Sequence, residues 1–218
     1  MKSQPILTIF SSGRAAEASD GRVRRSERSR EAIVAALIDL IGGGIETPTA
    51  KQVAERGRVG IRTVFRHFSE MESLYAAMDA VLYTEAERTF LAGDRSGTFD
   101  DRVKGLVRSR CAGYEKFAPF LRASIVFRRR SAFIETRKRQ TRMALRDDLF
   151  SWLPELREAP RATIDGLEMI TSFEAWDRLR SDQKLAAKAV HACVEALARA
   201  LSRDISGRKA LPRAPRTP

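Results

Sequence analysis

A short segment near residue 60 concentrates side chains that can bind an anionic polymer. Arg62 and Arg66 are spaced about one helical turn apart, and Thr63 and His67 follow at the same spacing. A guanidinium group forms paired hydrogen bonds with a phosphate or with a guanine edge, and hydroxyl and imidazole groups can bond phosphate oxygens. This spacing predicts that exposed faces of one helix contact nucleic acid.

Two short helices would have to position these side chains. Thr49 is a typical N-cap, and Gln52 can complete a capping box, so the sequence predicts a helix over 50–56. Glycines at both ends of the stretch 57–60 predict a turn, and a second helix is predicted over 61–67. Two helices joined in this way form a helix-turn-helix unit.

The apolar residues of this segment fit close helix packing. Ala54 is small, which would allow the second helix to cross near the first. Val59 in the turn and Val64 in the second helix are expected to fill the gap between the helices. Phe65 and Phe68 are also available for packing. We therefore expect a rigid unit that holds the second helix at the surface.

The rest of the chain predicts helices and no strands. An amphipathic helix is predicted over 27–41, ended by three glycines, and a long helix capped by Ser69 would run to about Phe90. Further helices are predicted at 99–116, 119–130, 132–151, 161–178 and 182–203, with Pro119, Pro154 and Pro160 marking boundaries. The predicted fold class is all-α, with an N-terminal three-helix helix-turn-helix domain and a C-terminal helical domain for ligand binding and dimerisation.

The domain boundaries follow from composition. We expect a disordered arm at 1–23, the helix-turn-helix domain at 24–70, a helical regulatory and dimerisation domain at 71–205, and a disordered basic tail at 206–218.

The net charge favours a polyanionic partner. Forty Lys and Arg against 28 Asp and Glu give the 218-residue chain a formal charge of +12. Neutralising phosphates releases condensed counterions, which makes such a charge typical of nucleic-acid binding. A solubility device or an arginine-rich genome would give the same balance.

The sequence lacks the residue patterns that several classes of protein require. Cys111 and Cys193 form no CxxC pair, and His67 and His191 are the two histidines, so neither a metal site nor a catalytic triad is expected. The sequence contains no phosphate-loop or nucleophile-elbow motif, and we expect neither a signal peptide nor a membrane-spanning segment. The sequence therefore predicts a cytoplasmic, nucleoid-associated protein that is not an enzyme, has no cofactor and does not contact a membrane.

The stretch Thr49–Phe68, TAKQVAERGRVGIRTVFRHF, followed by Glu72 and Leu74, resembles the tetracycline-repressor (TetR) family of bacterial regulators. The specific part runs from Thr63 to Phe68. The detailed match covers 27–90, and the C-terminal half is similar in layout. The resemblance implies a homodimeric transcriptional repressor that binds a palindromic operator in double-stranded DNA and responds to a small-molecule effector.

The resemblance also implies roles for individual residues. Residues facing the major groove would be Lys51, Ile61, Arg62, Thr63 and Arg66, and residues contacting the phosphate backbone would be Thr49, Phe65 and His67. Core packing is the alternative for Phe65 and His67. An arm carrying Arg24, Arg25 and Arg28 would contact the DNA backbone or minor groove, and a solvated basic segment is the alternative.

Three positions depart from the family pattern. Phe65 stands where Tyr is usual, and Met71 replaces a phosphate-binding Lys, so the arginine arm would supply the lost contact. Arg58 stands where the turn usually has Gly, a position that favours positive φ. We expect Gly57 and Gly60 to let the turn shift and absorb this change.

A ligand pocket is expected among the middle helices, as the resemblance implies. Candidate lining residues are Phe117, Phe120, Ile125, Phe127, Phe150, Trp152, Met169 and Phe173, and ordinary core packing is the alternative for each. Basic residues at 128–130 and 137–142 suggest either an anionic ligand or partner, or a charged solvent-facing surface.

The last two predicted helices carry an apolar stripe that would suit a two-fold interface. The candidate interface residues are Trp176, Leu179, Val190, Val194, Leu197 and Leu201. Cys193 is expected to pack there, with a redox-sensing role as the alternative. Beyond the regulator, the sequence leaves open an architectural DNA-binding protein that responds to no ligand.

Overall fold

The computed structural model describes residues 21–127 and 132–205, and all regular structure in these ranges is helical. This confirms the predicted all-α fold class. The helices are α1 Gly21–Gly42, α2 Ala50–Arg56, α3 Ile61–His67, α4 Met71–Phe90, α5 Phe99–Phe127, α6 Ala132–Trp152, α7 Arg161–Ile170, α8 Phe173–Asp177 and α9 Ala187–Ser202. A 3-10 turn follows α6, a π-helical turn follows α8, and a 3-10 turn follows α9.

The N-terminal helix begins earlier than its apolar pattern predicts. α1 starts at Gly21, so the arginines expected in a mobile arm lie on a helix. The reason is that Arg and Glu are strong helix formers, and polar turns can extend an amphipathic helix that is anchored further along. Of the arm predicted over 1–23, residues 21–23 lie on α1. Residues 1–20, the tail predicted over 206–218 and the basic cluster at 128–130 lie outside the described residues.

Two boundary predictions around α4 and α5 are wrong. Glu70, not Ser69, is the N-cap of α4, and the hydroxyl of Ser73 donates to the Glu70 carbonyl at 2.8 Å. α5 runs unbroken through Pro119, where the sequence predicts a boundary. Proline removes one helical hydrogen bond, and packing of Phe117, Ala118 and Phe120 on either side of it offsets that loss.

The C-terminal helices are shorter than predicted. The helix expected over 161–178 is divided at Thr171, because the hydroxyl of Ser172 accepts from the Ala175 amide at 3.2 Å and starts a new helix. The helix expected over 182–203 begins at Ala187. Local capping chemistry therefore determined boundaries that the apolar period did not show.

The long helix α5 lies at the centre of the molecule. It packs against α4, α6, α8 and α9. The first helix, α1, packs against both α4 and α5. Tyr114 of α5 is fully buried and donates to the Thr171 carbonyl at 2.8 Å. Its ring lies 5.6 Å from Phe173 and 5.9 Å from Trp176. This aromatic cluster fixes α8 against α5.

The first helix connects α2 and α3 to the rest of the molecule. Ile33, Leu37 and Ile41 are buried at helical spacing along α1. α2 and α3 pack on α1 and on each other, with Val53 and Val64 buried between them. Because α1 contacts both α4 and α3, a movement of α4 could change the position of α3 through α1.

Half of the predicted two-fold interface lies inside the protomer. Trp176, Val190 and Val194 are 3%, 0% and 2% exposed, so they cannot face a second copy. The prediction failed because these residues lie where α8 and α9 pack on α5. Leu197 and Leu201, which follow Val190 and Val194 toward the end of α9, are 43% and 40% exposed.

No helix in the described ranges is both long and apolar enough to cross a bilayer.

Candidate functional site

A capping box fixes the start of α2. The Gln52 amide donates to the Thr49 hydroxyl at 3.2 Å, and the Thr49 amide donates to the Gln52 side-chain carbonyl at 2.8 Å. Two backbone donors at the helix start are thereby satisfied, as the sequence predicts. Thr49 and Lys51 remain exposed, which leaves both side chains accessible at the start of α2.

The turn between α2 and α3 is held at Arg58. Its φ is 52°, in the left-handed region, whereas Gly57 and Gly60 have φ of −78° and −68°. The expectation that the glycines shift to accommodate Arg58 is therefore wrong. The Val59 amide donates to the Ala54 carbonyl at 3.0 Å, which closes the turn only when Arg58 adopts this conformation.

Replacing Arg58 by Gly should stabilise the protein. A non-glycine residue in the left-handed region costs about 1–2 kcal/mol, of which Gly recovers most. We expect Arg58→Gly to raise the free energy of unfolding by about 1 kcal/mol, measured by urea titration. Gly57→Ala is the matched control. The φ of Gly57 is ordinary, so the substitution relieves no strain, and the added methyl group would lie 3.1 Å from the Val53 carbonyl oxygen; the free energy of unfolding should therefore not rise. Loss of stability in Arg58→Gly would contradict this account of the turn.

α3 presents one continuous exposed face. Ile61, Arg62, Phe65 and Arg66 are all exposed, whereas Val64 is buried. At about 100° per residue these four side chains lie within an arc of about 140°. We call this set the α3 outer face. It combines two guanidinium groups with two apolar side chains.

Phe65 lies on the outer face and not in the core. It is 51% exposed, while its neighbours Val64 and Phe68 are 1% and 4% exposed and pack inward. The alternative that Phe65 packs in the core is therefore wrong, because Phe65 lies on the same side of α3 as Ile61 and Arg62. Ile61 is 45% exposed as well.

Thr63 and His67 flank the outer face and are half-buried. Burial lowers the pKa of His67 below its ordinary value, and the positive charges of Arg66 and Arg30 lower the pKa further. His67 is therefore neutral at pH 7, where a ring nitrogen can still donate one hydrogen bond.

The three arginines predicted on an arm lie on α1. Arg24, Arg25 and Arg28 are exposed, and Arg28 donates from Nε to the Arg24 carbonyl at 3.3 Å. Their helical placement fixes their spacing along one element. Arg30 stacks over the Phe68 ring at 5.2 Å and joins α1 to the end of α3.

A cavity of about 990 Å³ lies between α4, α5, α6 and α7. Five of the eight predicted pocket residues line it, namely Phe117, Phe120, Ile125, Met169 and Phe173. Phe127 has no described side chain. Phe150 and Trp152 lie elsewhere, because the Trp152 ring is enclosed by Gly93, Gly105 and Arg95. Residues of the wall that the sequence analysis missed include Tyr75, Met78, Leu82, Phe90, Arg110 and Tyr114.

The basic segment on α6 is tied to its surroundings by ion pairs. Arg137 contacts Asp79 at 2.6 Å and lies over the Tyr83 ring at 4.2 Å, and Lys138 contacts Glu174 at 2.8 Å. These pairs join α6 to α4 and α8. Arg137 and Lys138 therefore form part of the cavity wall.

The fold is similar to the crystal structure of a transcriptional regulator from Rhodococcus sp. Rha1, with a TM-score of 0.64 and 19% sequence identity. The similarity covers 83% of this chain and 100% of that one. No protein-family model matches the chain, and no curated protein matches it. At this level of identity the similarity concerns the fold.

Proposed function

We propose that this protein is a sequence-specific DNA-binding transcriptional regulator of the TetR type. The observation that carries the proposal is the α3 outer face, where Arg62 and Arg66 project from a short helix held rigidly by α1 and α2. The structural similarity to a transcriptional regulator supports it. α1 to α3 would bind DNA, and the helices from α4 onward would regulate that binding.

The chemistry of the outer face suits the major groove. Arg62 and Arg66 can each bond guanine O6 and N7 bidentately, and Ile61 and Phe65 can contact thymine methyl groups. Lys51 and Thr63 would add polar contacts beside them. Thr49, His67 and the arginines at 24, 25 and 28 would hold the phosphate backbone, where a neutral imidazole donates without adding charge.

The protein would act as a homodimer through α7 and α9. Leu197 and Leu201 are exposed on α9, and Cys193 lies along the same side with alanines at 189, 196 and 200. Leu201 lies beside Gly166 of α7: a methyl group added at Gly166 would lie 3.5 Å from the terminal carbons of Leu201. A partner copy could approach closely over these small residues. Two copies of α3 would then read two half-sites of a palindrome.

Charge placed on this side of α9 should dissociate the dimer. We expect the double variant Leu197→Glu, Leu201→Glu to sediment as a monomer and to weaken dimerisation at least roughly a hundredfold, because each buried leucine contributes about 1.5–3 kcal/mol. Lys188→Glu, exposed and about 180° around the same helix from Leu197, changes the net charge by the same amount, is the matched control and should leave the dimer intact. A wild-type monomer, or a dimeric double variant, would rule out this interface.

The cavity provides a route for ligand control. Tyr75, Met78 and Leu82 of α4 line its wall, and the Tyr75 hydroxyl lies 3.5 Å from the Glu46 carbonyl in the segment before α2. A ligand that favours one position of α4 would change the position of α3 in each protomer. The separation of the two reading helices, and with it operator affinity, would change accordingly.

Selection of bound fragments from random DNA tests the proposal. A regulator should enrich one palindrome whose half-sites are about one helical turn apart or a multiple of it. An architectural protein would bind with steep salt dependence and enrich no palindrome. That second result would contradict the regulator and support an architectural DNA-binding protein.

A further inference from the structure

A buried charge cluster lies beside the cavity, on elements other than α1 to α3. Asp148 of α6 is 4% exposed at its side chain and is shared by two arginines. Its Oδ1 accepts from Arg95 Nη2 at 2.6 Å, and its Oδ2 lies 2.9 Å from Arg110 Nη2. Arg110 Nη2 also donates to the Leu145 carbonyl at 2.7 Å. We call these three residues the Asp148 cluster.

The cluster carries an excess of positive charge. Two guanidinium groups face one carboxylate, which leaves one net positive charge. Arg110 is 2% exposed, and its Nη1, like Arg95 Nε and Asp148 Oδ2, has no hydrogen-bond partner among the described residues. Burial lowers the pKa of Arg110, although arginine stays protonated in proteins. A buried cation with a free donor is costly unless an anion joins it.

Arg110 belongs to the wall of the cavity. One turn further along α5, Tyr114 lines the same wall, but its hydroxyl is already bonded to Thr171. Most of the surrounding wall is apolar or aromatic and includes Phe90, Phe117, Phe120 and Leu149. This combination would hold a large apolar body against Arg110, which is buried, whereas the other basic residues of the described wall are half-buried or exposed.

The acidic groups around the cavity already have partners. Asp79 contacts Arg137, Glu174 contacts Lys138, and Glu87 accepts from the Tyr83 hydroxyl. Asp165 and Glu168 both contact Arg146. A cationic ligand would have to break one of these pairs, whereas an anion that displaced the wall beside Arg110 would supply the acceptor that its buried Nη1 lacks.

We propose that the cavity binds an amphipathic monocarboxylate, with its carboxylate at Arg110 Nη1 and its apolar body among the aromatic side chains. The proposal deepens the proposed function and rests on it only for the effect on DNA. One surplus charge and one free terminal nitrogen match a monoanion. A phosphate monoester would bring a second negative charge that the cluster does not neutralise.

Calorimetric titration of the full chain without DNA tests the ligand class. The probes are two matched pairs, dodecanoate with dodecanol and 1-naphthaleneacetate with 1-naphthaleneethanol, so that aliphatic and aromatic bodies are separated. We expect at least one carboxylate to bind about 10–100-fold more tightly than its alcohol, as a charge-assisted hydrogen bond would give. Equal binding of each acid and its alcohol, or no binding of either pair, overturns the proposal.

Variants locate the preference at the cluster. Arg110→Met should reduce the acid-to-alcohol preference to less than about 3-fold and leave alcohol binding unchanged. Asp148→Asn removes the competing carboxylate and should increase the preference, which keeps the test decisive if Arg110→Met does not fold. Arg108→Met, an exposed arginine on the same helix, is the matched control. A preference that survives in folded Arg110→Met, or that falls in folded Asp148→Asn, contradicts the assignment.

The two proposals fail separately. Carboxylate binding by a chain that selects no DNA palindrome would overturn the regulator and leave the cavity assignment standing. Selection of a palindrome by a chain that shows no carboxylate preference would overturn the cavity assignment and leave the regulator standing. When both hold, the preferred acid should shift operator affinity, and its alcohol should do so only at about 10–100-fold higher concentration.

Discussion

The double variant Arg62→Ala, Arg66→Ala should lose operator binding by roughly a hundredfold or more while remaining a folded dimer. Each bidentate arginine–guanine pair contributes about 1–3 kcal/mol of discrimination, and the variant removes two such side chains from each reading helix. Both residues are exposed and make no ion pair within the described part of the protein. Their removal should therefore change affinity and leave stability within about 0.5 kcal/mol.

The matched control separates base contacts from net charge. Arg88→Ala, Arg108→Ala removes two exposed arginines from α4 and α5, away from α3, and lowers the net charge equally. Fluorescence anisotropy with the selected palindrome, over a range of salt concentrations, should show near-wild-type affinity for this control. Equal loss in the two double variants would mean that overall charge, and not the α3 outer face, determines binding.

Trp152→Ala should be among the most destabilising single substitutions in the chain. The side chain is 1% exposed and fills the space between α5, α6 and the segment that joins α4 to α5. Arg95 stacks on its ring at 4.7 Å, and a methyl group at Gly93 would lie 2.7 Å from that ring. Truncation of a buried tryptophan costs about 3–5 kcal/mol, which denaturant titration would measure.

Met143→Ala is the control for this substitution, since Met143 is 62% exposed and should change stability by less than about 0.5 kcal/mol. Because Trp152 does not line the cavity, Trp152→Ala should leave the affinity for the neutral alcohols unchanged at temperatures where it is folded. A stability loss below about 1 kcal/mol would contradict the assignment of Trp152 to the core. A specific loss of alcohol affinity would restore its predicted place in the pocket.

Local signals predicted the reading unit well. The ends of α2 follow from Thr49, Gln52 and Gly57, whose effects act within one turn of helix, and the structure has the same boundaries. Pro119 shows where local signals fail. Its missing hydrogen bond predicts a break, but side-chain packing along both sides of α5 outweighs one lost bond.

The candidate site was predicted less completely. An apolar stripe cannot distinguish a side that packs on α5 from one that meets a partner, so Trp176 and Val190 were assigned to the interface although they are core. The Asp148 cluster left no sequence signal, because Arg95 and Asp148 are 53 residues apart. Only the packing of α5 and α6 brings these charges together.

Methylation interference on the selected DNA tests the central claim most directly. Methylating guanine N7 blocks the major-groove edge that Arg62 and Arg66 would bond. The account predicts two clusters of interfering guanines, one in each half-site and about one helical turn apart or a multiple of it, and their loss in the Arg62→Ala, Arg66→Ala variant. Interference confined to minor-groove adenine N3, or none at any guanine of a bound site, would contradict α3 as the reading helix.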